Sequence, residues 1–197
     1  MFSLTRKGAW VAEVEYWNPR RREDEVIVAD FFVRHQLAIN QVFCALKYRP
    51  LPLGMKFERW VSFREPLSGS TRLIPDGYAA VRPPSGESAG MFFEIDLGNE
   101  HLKIWTEKAN RYLQFALSGN IEPLFGVQHF RVIVVVSSER RRQSIRKTVA
   151  TMTKKIFWFA TGEDVEREGL FAPIWLRPTA IRSCLSLRLP READTRE

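Results

Sequence analysis

A chain of 197 residues with 45% hydrophobic and 27% charged side chains has the balance of a globular domain, not of a disordered tail. Lys and Arg number 30 against 23 Asp and Glu, so the net charge is +7, which suits contact with phosphates or an acidic partner. The longest aliphatic run, Val132 to Val136, falls far short of a bilayer span, and two cysteines, Cys44 and Cys184, are too few for a disulfide framework or a Cys-rich zinc site.

Phe2 to Trp10 reads as a short strand entering a turn at Gly8. Asn18 to Glu25, with Pro19 and mixed charge, reads as a linker. A helix is expected from about Asp30, its N-cap, to Lys47, because His35, Ile39, Val42 and Leu46 recur on one helical face. Three strands follow at Phe57 to Phe63, Pro75 to Arg82 and Met91 to Leu97. Pro83 to Ser88 joins the last two as antiparallel neighbours.

A second helix spans roughly Glu100 to Leu117, with Leu102, Trp105, Ala109, Tyr112 and Ala116 as its core-facing stripe. Arg131 to Val136 is rich in β-branched residues and reads as a strand buried on both faces. Ser137 or Ser138 caps a helix from Glu139 to about Thr153, and a strand at Lys155 to Thr161 precedes an acidic turn or helix at Glu163 to Glu168. The order predicts an α/β fold: a mixed sheet flanked by helices, its later strands parallel. Residues 1–25 form an N-terminal strand and linker, 26–178 the α/β domain, and 179–197 a polar tail.

Three acids stand in apolar surroundings. Asp76 follows Pro75 at a strand start, and Glu94 and Asp96 share one face of their strand. If the two strands are neighbours, the carboxylates converge. Relief then comes from protonation, from an arginine on a neighbouring element, or from a divalent cation such as Mg²⁺ or Mn²⁺ that would position water on a phosphate. No H-E-x-x-H spacing joins His35, His101 or His129, and no Walker A or G-x-G-x-x-G loop is present.

Ile74-Pro75-Asp76-Gly77-Tyr78, then Phe92-Phe93-Glu94-Ile95-Asp96-Leu97-Gly98-Asn99-Glu100, then Lys108 and Tyr112 on the following helix, resemble the replication-relaxation family of plasmid and mobile-element proteins. The likeness runs from about Asp30 to Arg177 and includes His35 to Asn40 and Pro173-Ile174-Trp175. It implies a PD-(D/E)XK nuclease-like core with Asp76 and Glu94 as metal ligands, and DNA, a relaxase or another replication protein as partner. Asp96 stands where such nucleases carry a lysine two residues after the glutamate; Lys108, or Lys103, would supply that charge from the helix. Asp76, Glu94, Asp96 and Lys108 are thus the candidate catalytic set. The resemblance equally allows an inactive nuclease-fold adaptor. Phe2 to Gly8 resembles the last strand of a winged-helix wing.

Arg140, Arg141, Arg142, Arg146 and Lys147 form a basic helical stretch, either a solvated face or a grip on the phosphate backbone of DNA; Arg20 to Arg22 is a second cluster. Trp60, Trp105, Trp158 and Trp175 lie in apolar segments and are expected in the core, with base stacking as the other use. Met1 to Arg6 lacks the apolar stretch of a secretory signal, so a cytoplasmic location is expected.

Overall fold

The computed structural model describes residues 6–11, 23–67, 72–84 and 86–179. The chain divides into two units, Met1–Arg34 and His35–Glu197. The first holds helix α1 (Arg6–Val11) and the start of α2 (Glu23–Tyr48). Residues 6–11 are therefore helical where a strand and a wing were expected. Arg6, Lys7 and Ala9 are strong helix formers and outweigh a brief alternation. Phe2 to Thr5 and the linker residues 18–22 lie outside the described residues. Glu23 to Glu25 belong to α2, not to a linker, and Asp30 is inside the helix rather than at its cap. An acidic run reads as linker in isolation, yet acids are favoured at a helix N-terminus by its dipole.

The second unit is built on a five-stranded sheet in the order β1-β2-β3-β4-β5: β1 (Lys56–Val61), β2 (Gly77–Arg82), β3 (Ala89–Asp96), β4 (Phe130–Val136) and β5 (Phe157–Thr161). β1, β2 and β3 are antiparallel; β3, β4 and β5 are parallel, as the sequence order predicts. Helix α3 (Leu102–Leu117) and the short α4 (Ile121–Phe125) connect β3 to β4, and α5 (Glu139–Ala150) connects β4 to β5. α6 (Gly162–Glu168) follows β5. α4 was not foreseen. Five residues carry no readable period, and Pro123 sits in its first turn, where no helical hydrogen bond is lost.

Alternating side chains give the sheet two buried faces. Tyr78, Phe92, Val132, Val134 and Phe159 pack against Trp105, Tyr112 and Phe115 of α3 and Ile145 and Val149 of α5. Ala79, Phe93, Ile95, Ile133 and Trp158 pack against Ile39, Val42 and Leu46 of α2, Val165 of α6 and the 170–176 segment. Trp105, Trp158 and Trp175 are buried, as expected. Ser138, of the two candidate serines, caps α5 by accepting from Arg141 N–H at 3.2 Å; Thr161 caps α6 in the same way. Among the described residues, no helix is long and apolar enough to cross a membrane.

Gly77 is required where β2 passes under Trp60. A Cβ there would sit 2.2 Å from the indole, which itself packs against the tilted Phe93 ring at 5.3 Å. Gly77→Ala should lower stability by about 1–3 kcal/mol through overpacking, measured by urea denaturation; an unchanged midpoint would show that the indole swings aside freely.

Candidate functional site

The carboxyl end of β3 is where the acids lie. Glu94 and Asp96 share the parity of Phe92 and so face α3, each about 1% exposed. Leaving a carboxylate there without a partner would be costly, and each finds cationic and neutral donors from the helices.

Glu94 accepts from Tyr112 Oη at 2.6 Å and from Lys108 Nζ at 2.9 Å. Lys108 and Tyr112 are four residues apart on α3, one helical turn, so both reach the same carboxylate. Lys108 also donates to Glu100 at 2.9 Å. Burial pushes the Glu94 carboxyl up; Lys108 opposes this and nearby Asp76 adds to it, leaving Glu94 at about 7. Burial acts to lower Lys108, but Glu94 and Glu100 outweigh it and hold the ammonium above its ordinary value. Burial and the Glu94 charge place the Tyr112 hydroxyl well above its usual range, so it stays a donor.

Asp96 is more heavily bonded. Arg141 reaches it from α5 in a bidentate pair, Nε to Oδ1 at 2.8 Å and Nη2 to Oδ2 at 2.7 Å. Trp105 Nε1 donates at 2.6 Å, and Gly98 N–H at 2.8 Å. Gly98 makes that turn with φ +98°, a conformation suited to glycine. Burial raises the Asp96 carboxyl, yet the bonds from Arg141 and Trp105 and the Arg141 charge hold it below the ordinary Asp value.

Asp76 is held differently. Its Oδ2 accepts from Ile95 N–H at 2.6 Å and lies 3.4 Å from His35 Nε2, which also sits 3.0 Å from Ile95 carbonyl O. The bond to Asp76 raises His35 above its usual pKa against the effect of burial. The structure thus gathers Asp76, Glu94, Asp96 and Lys108 around one strand end, with Glu94 and Asp96 on the α3 face and His35 reaching Asp76 from α2. Among the described residues, no group of three or more His, Cys, Asp or Glu side chains is placed to hold one metal ion.

The basic stretch on α5 divides. Arg142 is buried, paired with Asp164 at 3.1 Å and with Glu139, and Arg141 is bound to Asp96. These two were expected on a phosphate-gripping face; the periodicity of α5 turns them inward instead. Arg146 Nε donates to Arg177 carbonyl O at 2.6 Å. Arg140 and Lys147 are exposed and form no ion pair among the described residues.

Open α/β sheets commonly bind ligands beyond the carboxyl ends of parallel strands. A cavity of about 430 Å³ lies there on the α2 face, lined among others by Val42, Ala45, Ile95, Leu97, Val135 and Val165. Its lining is largely apolar and includes none of the four candidate catalytic residues.

A five-stranded mixed sheet flanked by helices, with the acids at one strand end met by basic side chains, defines an α/β protein. Residues 1–128 match the replication-relaxation family, and the chain belongs to it. Membership associates it with replication-related proteins of plasmids and mobile elements. The matched span includes Asp76, Glu94, Asp96, Lys108 and Tyr112; Arg141 and β4 lie beyond it. No curated protein and no solved structure matches the chain significantly.

Proposed function

We propose that the chain is a DNA-associated replication-relaxation protein whose PD-(D/E)XK-like unit serves as a binding module, not as a phosphodiesterase. The strand order, antiparallel through β3 and parallel after it, supports the nuclease-like ancestry. The neutralisation of the acids carries the binding reading. Each has a basic partner from the chain itself: Lys108 for Glu94, Arg141 for Asp96, His35 for Asp76.

A divalent ion fits this donor set poorly. To ligate Glu94 it would have to displace Lys108 and Tyr112 from a side chain 1% exposed, and both Asp96 oxygens already take donors. Asp76 Oδ2 is already taken by the Ile95 N–H and faces His35. The net charge of +7 supports nucleic acid as partner.

The test pairs binding with cleavage. A labelled DNA duplex should bind with an affinity that falls steeply between about 50 and 200 mM salt. Supercoiled plasmid should stay uncut with Mg²⁺ or Mn²⁺. Nicking by the parent protein that disappears in Glu94→Gln or Asp76→Asn would replace this reading with a metal-dependent nuclease.

A further inference from the structure

Two groups of cations lie at the two ends of the parallel strands. Those around the carboxyl end of β3 and on the inner side of α5 are paired with carboxylates. At the opposite end of the parallel strands, Arg131, Lys154, Lys155 and Arg177 form no ion pair among the described residues. These four come from three segments that the backbone ties together. Arg131 opens β4. Lys154 and Lys155 lie in the loop before β5, whose Ile156 carbonyl accepts from Val132 N–H at 2.8 Å. Ile156 holds φ +52°, a conformation disfavoured for a β-branched residue, so the loop is pinned and not merely draped. Arg177 follows Leu176, which pairs with Phe159 on β5 through two bonds of 2.9 Å.

Side-chain geometry closes the cluster. Arg177 Nη2 donates to Lys154 carbonyl O at 3.3 Å, and its guanidinium lies 5.9 Å from the centre of the Trp158 ring. Arg131 is close enough to Arg177 that, after burial, the neighbouring positive charge is what lowers its pKa. Lys154, Lys155 and Arg177 are exposed. Like charges fixed together without an acid are an unfavourable arrangement that a polyanion relieves.

We propose that Arg131, Lys154, Lys155 and Arg177 form the surface that grips the phosphate backbone of DNA. The proposal rests on the DNA-binding reading above and moves its contact surface off the α5 helix. Arg131 pairs with Met91 and Asp96 with Val136, so the surface stands about 16 Å of strand from the neutralised acids. Contacts of this kind give affinity without reading sequence.

The experiment measures binding of a short labelled duplex to the whole chain by fluorescence anisotropy at several salt concentrations. Lys154→Gln with Lys155→Gln changes two exposed side chains that make no ion pair, so the fold is expected to hold, with an unchanged melting temperature as the check. This variant should bind about tenfold more weakly near 100 mM salt, and its log–log salt slope should be shallower by about 2. Arg131→Gln with Arg177→Gln should do the same. The comparison variant, Arg140→Gln with Lys147→Gln on α5, should bind like the parent. Patch variants that bind like the parent, or a comparison variant that loses as much, would overturn the assignment while leaving DNA binding standing. A parent protein that fails to bind duplex even at about 50 mM salt would instead remove the functional reading, and this surface with it.

Discussion

Arg141→Ala should destabilise the second unit by about 3–5 kcal/mol and lower its melting temperature by about 10 °C or more. The reason is the carboxylate it leaves behind. Asp96 has a fully buried side chain, and Arg141 supplies two of its donors together with the only charge opposite it among the described residues. Trp105 and Gly98 would remain, but neutral donors do not offset a buried charge. The cost therefore belongs to the stranded anion rather than to the ion pair. Asp96→Asn in the same chain should recover part of the loss, because no charge is then left to bury. Thermal denaturation of both single variants and the double gives the coupling. Simple additivity of the two changes would show that Asp96 and Arg141 do not act together.

The second large effect is a pH dependence centred on Glu94. Its carboxyl moves from an ordinary 4.5 to about 7 in the folded chain. Below about pH 4.5 the group is protonated in both the folded and unfolded chains. Between 4.5 and 7 the folded chain holds the proton more tightly, so the stability this group contributes declines as pH rises through that window. The full swing is up to about 3 kcal/mol. His35, also raised, works in the same direction: its contribution is present below its unfolded value of 6.5 and is lost as pH rises through the folded value. Asp96, lowered, works oppositely, and its contribution is lost only as pH falls below 3.8 towards its folded value. Urea denaturation between about pH 5 and pH 8 should show stability falling, and Glu94→Gln should flatten most of that fall. A Glu94→Gln chain with the slope of the parent would locate the titration elsewhere.

The features read well from sequence are those whose physics is local. β4 declared itself by its run of valines, and α3 by the spacing of Trp105, Ala109 and Tyr112. Glu94 and Asp96 were visible because acids in an apolar strand must be compensated, whereas Lys108 was singled out by the family resemblance. The partner of Asp96 was not visible. Arg141 lies 45 residues away, and only the docking of α5 against α3 decides that it points inward and not at solvent. The same docking buries Arg142, which a string of arginines cannot disclose. His35 was legible as a member of the α2 stripe, yet its contact with Asp76 depends on how α2 crosses the sheet. Three carboxylates called for compensation; lysine, arginine and histidine side chains lie against them in the structure.

The strand order has a practical corollary. The family match stops at residue 128, just before β4 begins. β3 pairs with β4 along seven consecutive residues, Gly90 to Asp96. Trimming the protein to the matched span would turn a central strand into a raw sheet margin, with unpaired amides beside Phe92 and Phe93. Such a margin recruits other chains, so the recognisable portion of the sequence and the portion able to stand alone are different lengths.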